Sequence, residues 1–114
     1  MIARLLQSLF RRTPTAITAD DAHSASLYGP AVLLDVRERQ EWQAGHAPQA
    51  VHLPLGQLDK APQRLPKDGP VVVVCASGMR SRTAAKRLRD LGFEAASVAG
   101  GMGAWQRAGG AVRR

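Results

Sequence analysis

VVVVCASGMRSRTAAKRLRDLG, Val71 to Gly92, decides how this chain is built. Four consecutive valines lead into Cys75, the only cysteine among 114 residues. An unbroken β-branched run bounded by turn formers predicts a strand covered on both faces, as in a parallel sheet. From Arg80 onward Ala84, Ala85, Leu88 and Leu91 recur at helical spacing, and Gly92 supplies the stop. Cys75 is thereby placed at the carboxyl end of a central strand, just before a helix N-terminus. In open α/β sheets that crevice is where ligands bind.

The position suits a nucleophile. Only the thiolate attacks, and a free cysteine titrates near about 8.5. The unpaired N–H groups of a helix N-terminus attract anions. The small residues Ala76, Ser77 and Gly78, followed by Met79, let the backbone curl so that several N–H groups point at the sulfur. Arg80 adds a fixed positive charge and a two-pronged donor for oxyanions. Cys75 is therefore the candidate catalytic residue, and Ala76, Ser77, Gly78, Met79, Arg80 and Ser81 are the candidate substrate-binding residues. The plainer alternative is a small buried hydrophobe closing a core strand. The strand, loop, arginine and helix in succession outweigh it.

At these residues the chain resembles the rhodanese family. Cys75-Ala76-Ser77-Gly78-Met79-Arg80 is similar to its active-site loop, C-x-x-G-x-R, and Ser81, Ala84, Ala85, Leu88, Gly92 and Phe93 continue the pattern. Val98-Ala99-Gly100-Gly101-Met102 with Trp105 resembles the closing G-G-[MI]-x-x-W. Leu33-Leu34-Asp35-Val36-Arg37, then Glu41-Trp42 and Gly45-His46, resemble the family's other signatures. The likeness runs from about Pro14 to Gly110, and four motifs in order make it specific. It implies a five-stranded parallel sheet flanked by helices on both faces, a three-layer α/β fold. Two departures stand out. Ala76 occupies a place where many members carry a basic residue, which makes the pocket less positive toward thiosulfate dianion or fits another sulfur donor. The usual G-H-I-P-G-A becomes Gly45-His46-Ala47-Pro48-Gln49-Ala50.

Length and composition bound the rest. The chain is one domain's worth of residues, large enough for a core without staples. One cysteine excludes an internal disulfide, a dithiol mechanism and a cysteine-rich metal site within one subunit, and it is compatible with a reducing, cytoplasmic setting. No apolar run is long enough to cross a bilayer. The formal charge of +7 is concentrated at the ends: Arg4, Arg11 and Arg12 before residue 15, and Arg107, Arg113 and Arg114 after residue 106, with no acid beside them. Between them ten basic residues face nine acidic ones. The basic stripe after Cys75, with Arg82, Lys86 and Arg89, favours small anions or an acidic protein. It is too local and too poor in aromatics for nucleic acid.

In order along the chain, residues 1–13 form a basic amphipathic segment that fits an N-terminal helix, packed on its own domain or laid on a membrane surface or partner. Residues 14–114 are the rhodanese-like domain. Ala16-Ile17 predicts an edge strand, and Thr18-Ala19-Asp20-Asp21 opens a helix ending near Gly29-Pro30. Strands are expected at Ala31 to Val36, Val51 to Leu53 and Ala95 to Ala99. Helices are expected at Glu38 to Ala44, at Leu55 to Leu65 with an interruption at Pro62, and at Met102 to Ala108. Strands alternating with helices read as a parallel α/β sheet.

Asp35 and Arg37 frame the same crevice as Cys75, and a structural ion pair is the expected role. Glu38 and Glu41 with Trp42 read as a solvated helix face with one aromatic anchor. His46 reads as a satisfied turn residue, and His23 and His52 show no partner. No histidine pair has zinc-ligand spacing, so neither metal nor cofactor is expected. The function the resemblance implies is a sulfurtransferase moving sulfane sulfur from a small anionic donor such as thiosulfate, through a Cys75 persulfide, to cyanide, a thiol or a protein. The rivals are a non-catalytic persulfide carrier or binding module and, on a related scaffold, a phosphatase or arsenate reductase. Those phosphatases use C-x5-R, whereas here the sixth residue after Cys75 is Ser81.

Overall fold

The computed structural model describes residues 15–114, so the amphipathic segment expected at 1–13 and its joint at Thr13-Pro14 lie outside the described residues. Five strands form one sheet: β1 (Ala16–Ile17), β2 (Val32–Asp35), β3 (Val51–His52), β4 (Pro70–Val74) and β5 (Glu94–Val98). Their order is β1-β5-β4-β2-β3, and every pairing is parallel. The valine run takes the centre. Val71 pairs with Val32 on one side and Ala95 on the other, and Val74 pairs with Asp35. All five residues of β4 are buried, which explains why the run does not alternate with polar residues.

Helices cover both faces. α1 (Ala19–Leu27) and α5 (Gly101–Arg107) pack on the face formed by Leu33, Val72, Val74, Ala96 and Val98, with Trp105 fully buried beneath them. On the other face lie a 3₁₀ helix (Leu55–Lys60), α3 (Ala61–Arg64) and α4 (Met79–Asp90). There Leu58, Ala61, Ala84, Ala85 and Leu88 meet Leu34, Val36, Val71 and Val73. α2 (Arg39–Ala44) stands beyond the carboxyl end of β2. The expected three-layer α/β architecture is therefore the observed one.

Local chemistry sets the helix starts. Thr18 caps α1 by accepting the Asp21 N–H at 3.1 Å, and Asp20 and Asp21 complement the positive end of the helix. Glu38 and Glu41 form a capping box that opens α2, with the Glu38 N–H donating to Glu41 at 2.9 Å. Two expectations need correction. Leu55 to Leu65 is not one helix broken at Pro62: the chain runs as a 3₁₀ helix and then begins α3, with Pro62 in its first turn. An N–H there has no intrahelical partner to lose, so proline starts the helix and does not interrupt it. Leu91 also leaves the apolar stripe, for it lies past the end of α4 and is 49% exposed, whereas Leu88 is fully buried.

That contrast is measurable. Leu88→Ala should lower the free energy of unfolding in urea by about 2–5 kcal/mol through the cavity it leaves. Leu91→Ala should stay within about 0.5 kcal/mol of the parent. Equal losses at both positions would contradict the assigned face.

Candidate active site

Cys75 follows the last residue of β4, and its side chain falls on the face covered by α4. The next residues must turn the chain from strand to helix. Gly78 does so at φ 113°, a left-handed conformation that side-chain-bearing residues rarely adopt. The turn aims the backbone inward. The Gly78 N–H donates to Cys75 Sγ at 3.0 Å, and the Ser81 N–H, in the first turn of α4, donates at 3.3 Å. The Ser81 hydroxyl stands 3.4 Å from the sulfur. Burial pushes the thiol up, since Cys75 is only 1% exposed. Hydrogen bonds from the Ser81 hydroxyl and from the N–H groups of Ser81, Gly78 and Ser77 outweigh it, so the thiol titrates below its ordinary value. Fixed dipoles thus favour the thiolate at a buried position.

The floor of the site comes from α5. Its Met102 N–H donates to the Cys75 carbonyl at 2.9 Å. A Cβ on Gly101 would run into the Cys75 and Ala76 backbone, so only glycine permits this approach. Ala76, Ser77 and Met79 are exposed at the lip, with Met79 70% accessible.

Asp35 and Arg37 meet as expected, though not as reacting groups. Asp35 accepts the Arg37 backbone N–H at 3.0 Å and the guanidinium at 2.8 Å from Nη2. Arg37 Nη2 also donates to the Gly45 carbonyl at 2.7 Å, which ties the end of α2 to the end of β2. Both residues are buried and hydrogen-bonded, the condition under which such a pair is tolerated.

Arg80, expected to bind the donor's oxyanion, is engaged within the protein. Its Nη1 and Nη2 donate to the two Glu41 carboxylate oxygens at 2.6 and 2.8 Å, a forked ion pair joining α4 to α2. Glu41 is therefore not part of a solvated face. The Arg80 hydrogen bonds hold its carboxyl at about 2 against an ordinary 4.5, and the same pair raises Arg80 further. Sequence reading missed Glu41 because its partner lies 39 residues away.

The aromatic anchor at Trp42 holds. Its ring stacks on His46 at 3.6 Å and on His52 at 4.6 Å between centroids. His46 donates from Nδ1 to the Trp42 carbonyl and His52 from Nε2 to the Arg37 carbonyl, each at 2.8 Å. His23 meets Trp105 edge to face. Beside them opens a polar cleft lined by Arg39, Trp42, Gln43, His52, Gln57 and Arg64, a wall to which Cys75 does not contribute. The basic stripe is partly engaged, since Lys86 pairs with Asp90 and Arg89 donates to the Ala95 carbonyl. Among the described residues no cluster of His, Cys, Asp and Glu could hold a metal ion, and no helix is long and apolar enough to cross a membrane.

Comparison with known proteins bears on the family and the fold. The model of the rhodanese-like domain matches residues 18–108. A Bacillus subtilis (strain 168) protein named "Putative sulfurtransferase YtwF" is 45% identical over 74 residues, which are 65% of this chain and 72% of that protein. The crystal structure of a rhodanese-related protein from Thermoplasma volcanium superposes with a TM-score of 0.76 at 31% identity, covering 86% of this chain and 96% of the other. A Rhodopseudomonas palustris CGA009 protein of unknown function, described as a possible tyrosine phosphatase, also gives 0.76, at 28% identity over 97% of this chain and 93% of its own.

The Glu41–Arg80 pair predicts a pH window. Its carboxyl is depressed in the folded state, so its contribution is complete above the ordinary 4.5 and disappears as pH falls toward about 2. Glu41→Gln should therefore be less stable than the parent in denaturant titrations at pH 6, with the difference shrinking steadily below pH 4.5. A difference independent of pH would refute the ion pair as its source.

Proposed function

The chain belongs to the rhodanese-like domain family, and from that premise we propose that it is a sulfurtransferase working through a Cys75 persulfide. The observation that carries the reading is the convergence of the Gly78 and Ser81 N–H groups on Cys75 Sγ. Those dipoles favour the thiolate form and would favour an anionic persulfide in the same place. The thiolate attacks the outer sulfur of a sulfane donor such as thiosulfate. The bond between the two donor sulfurs breaks, and sulfite leaves with the electron pair. A nucleophilic acceptor then attacks the outer sulfur of the persulfide and returns Cys75 as thiolate. Cyanide serves in the assay, and a thiol or a protein cysteine serves in the cell. The scheme is ping-pong and needs neither cofactor nor separate general base.

The donor's oxyanion meets the loop backbone first. Arg80 is engaged by Glu41, so it supports the loop and lends charge at second hand. Ala76, Ser77 and Met79 form the lip against which donor and acceptor approach. We place the reaction in a reducing cytoplasm, where the single Cys75 stays unpaired.

A phosphatase reading draws support from the neighbour described as a possible tyrosine phosphatase. Its chemistry would require a loop that wraps a tetrahedral phosphate. Here the arginine comes five residues after the cysteine, one short of the phosphatase spacing, and its fork is already filled.

Intact mass after exposure to thiosulfate, with thiocyanate formation from added cyanide, separates these readings. The parent should gain one sulfur and turn over, and Cys75→Ser should do neither. A sulfur gain without turnover would mark a carrier awaiting its protein acceptor. Turnover surviving in Cys75→Ser, or aryl phosphate hydrolysis without sulfur gain, would overturn the proposal.

A further inference from the structure

Ser97 is a polar residue that the reaction scheme does not use. It lies in β5, 1% exposed, between Ala95, Ala96 and Val98. As the Cα partner of Val73 it shares the sheet face that carries Cys75. Its Oγ is 2.6 Å from Ser81 Oγ, and among the described residues it makes no other side-chain hydrogen bond. Ser81 is fully buried too. It has one hydroxyl hydrogen and three acceptors within reach: Ser97 Oγ, the Gly78 carbonyl at 3.1 Å and Cys75 Sγ at 3.4 Å.

The neighbours decide where that hydrogen goes. The Ser97 hydrogen has Ser81 Oγ as its acceptor, and turned elsewhere it would be unpaired in an apolar core. The Gly78 carbonyl already accepts the Arg82 N–H at 3.2 Å, so it stays satisfied when Ser81 turns away. We propose that Ser97 is a positioning residue for the sulfur chemistry: by donating to Ser81 Oγ it orients and polarises that hydroxyl, so that the single Ser81 hydrogen is aimed at Cys75 Sγ whenever the sulfur is anionic. The purpose rests on the sulfurtransferase reading, while the hydrogen-bond geometry stands without it.

The protons balance. In the thiol state the Cys75 S–H donates to Ser81 Oγ, which also accepts from Ser97 and donates to the Gly78 carbonyl. When the thiol proton leaves to water, the Ser81 hydrogen rotates from Gly78 to the sulfur. No proton passes between the serines, and no heavy atom need move. Charged groups near the sulfur come as neutral pairs: Arg80 of α4 with Glu41 of α2, and Asp35 of β2 with Arg37. Ser97 itself and the first turn of α5 bring no charge. The hydroxyl relay is therefore the adjustable element at the sulfur.

The test titrates thiolate absorbance against pH in the full chain, each protein corrected with its Cys75→Ser counterpart. Ser97→Ala should raise the midpoint by about half a unit, which is about threefold less thiolate at a pH well below it. Ser97→Thr, which keeps the hydroxyl, should return the midpoint toward the parent value, and Ser81→Ala sets the largest shift to be expected. The pH profile of sulfur loading from thiosulfate should move in parallel. An unchanged midpoint in folded Ser97→Ala would overturn the proposal, because Ser97 would then do nothing to aim the Ser81 hydrogen, and a lowered one would overturn it by showing that Ser81 spends that hydrogen on Ser97. A rise that Ser97→Thr leaves uncorrected would also overturn it, by assigning the effect to packing. If the parent takes no sulfur at all, the sulfurtransferase reading fails while the titration still decides the role of Ser97.

Discussion

The carboxyl end of a parallel sheet leaves a row of strand-end carbonyls and N–H groups that the ladder no longer pairs, and the top of this molecule is organised by the need to satisfy them. The Val36 N–H returns to the Val74 carbonyl, and the Leu53 and Leu55 N–H groups return to Asp35 and Val36. The Ala99 N–H returns to Ile17, and Met102 of α5 reaches back to Cys75. Side chains complete the row: Arg37 supplies the Gly45 carbonyl, and His52 supplies that of Arg37. The segments after β2 and β5 are thereby tied to the end of β4. In the proposed reaction the sulfur is the acceptor that is also a reagent.

Near that sulfur the protein uses dipoles where a simpler design would use charge. Arg37 and Arg80 lie close by, and each is matched by a carboxylate. The pairs brace the frame, one between β2 and α2 and the other between α2 and α4. What the sulfur meets directly is backbone N–H and hydroxyl. Such groups are fixed by the fold and only weakly screened by salt at this depth. A small donor thus meets a preset field that does not depend on mobile surface side chains.

How much of this was legible in the sequence follows from the range of each interaction. The valine run, the loop and the helix after it could be read because their signals are periodic and lie within 22 residues. The Asp35–Arg37 pair could be read because its members are two apart at a strand end. The Glu41–Arg80 pair could not, since nothing local in Glu41 separates a long-range partner from a solvated helix residue. The capping box it forms with Glu38 speaks of helix initiation alone. Ser97 was silent for a similar reason: one small hydroxyl in a buried strand has no pattern until β5 is paired with β4. Leu91 and Pro62 misled because helical spacing and proline's breaking role are both position-dependent. Each lies just beyond, or just inside, a helix end where the rule reverses.

The depth of Cys75 also has a consequence for traffic at the site. Cys75 is 1% exposed while Ala76, Ser77 and Met79 stand open around it. In the proposed persulfide the transferred atom sits one sulfur–sulfur bond, about 2.05 Å, farther along the side chain. The carrier atom is then recessed and its cargo is presented. A partner can collect the outer sulfur without reaching the inner one, and the inner sulfur is shielded from stepwise oxidation by bulky oxidants. Recess at the carrier and reach at the cargo come from the same turn at Gly78, so delivery and self-protection are set by one bend in the chain.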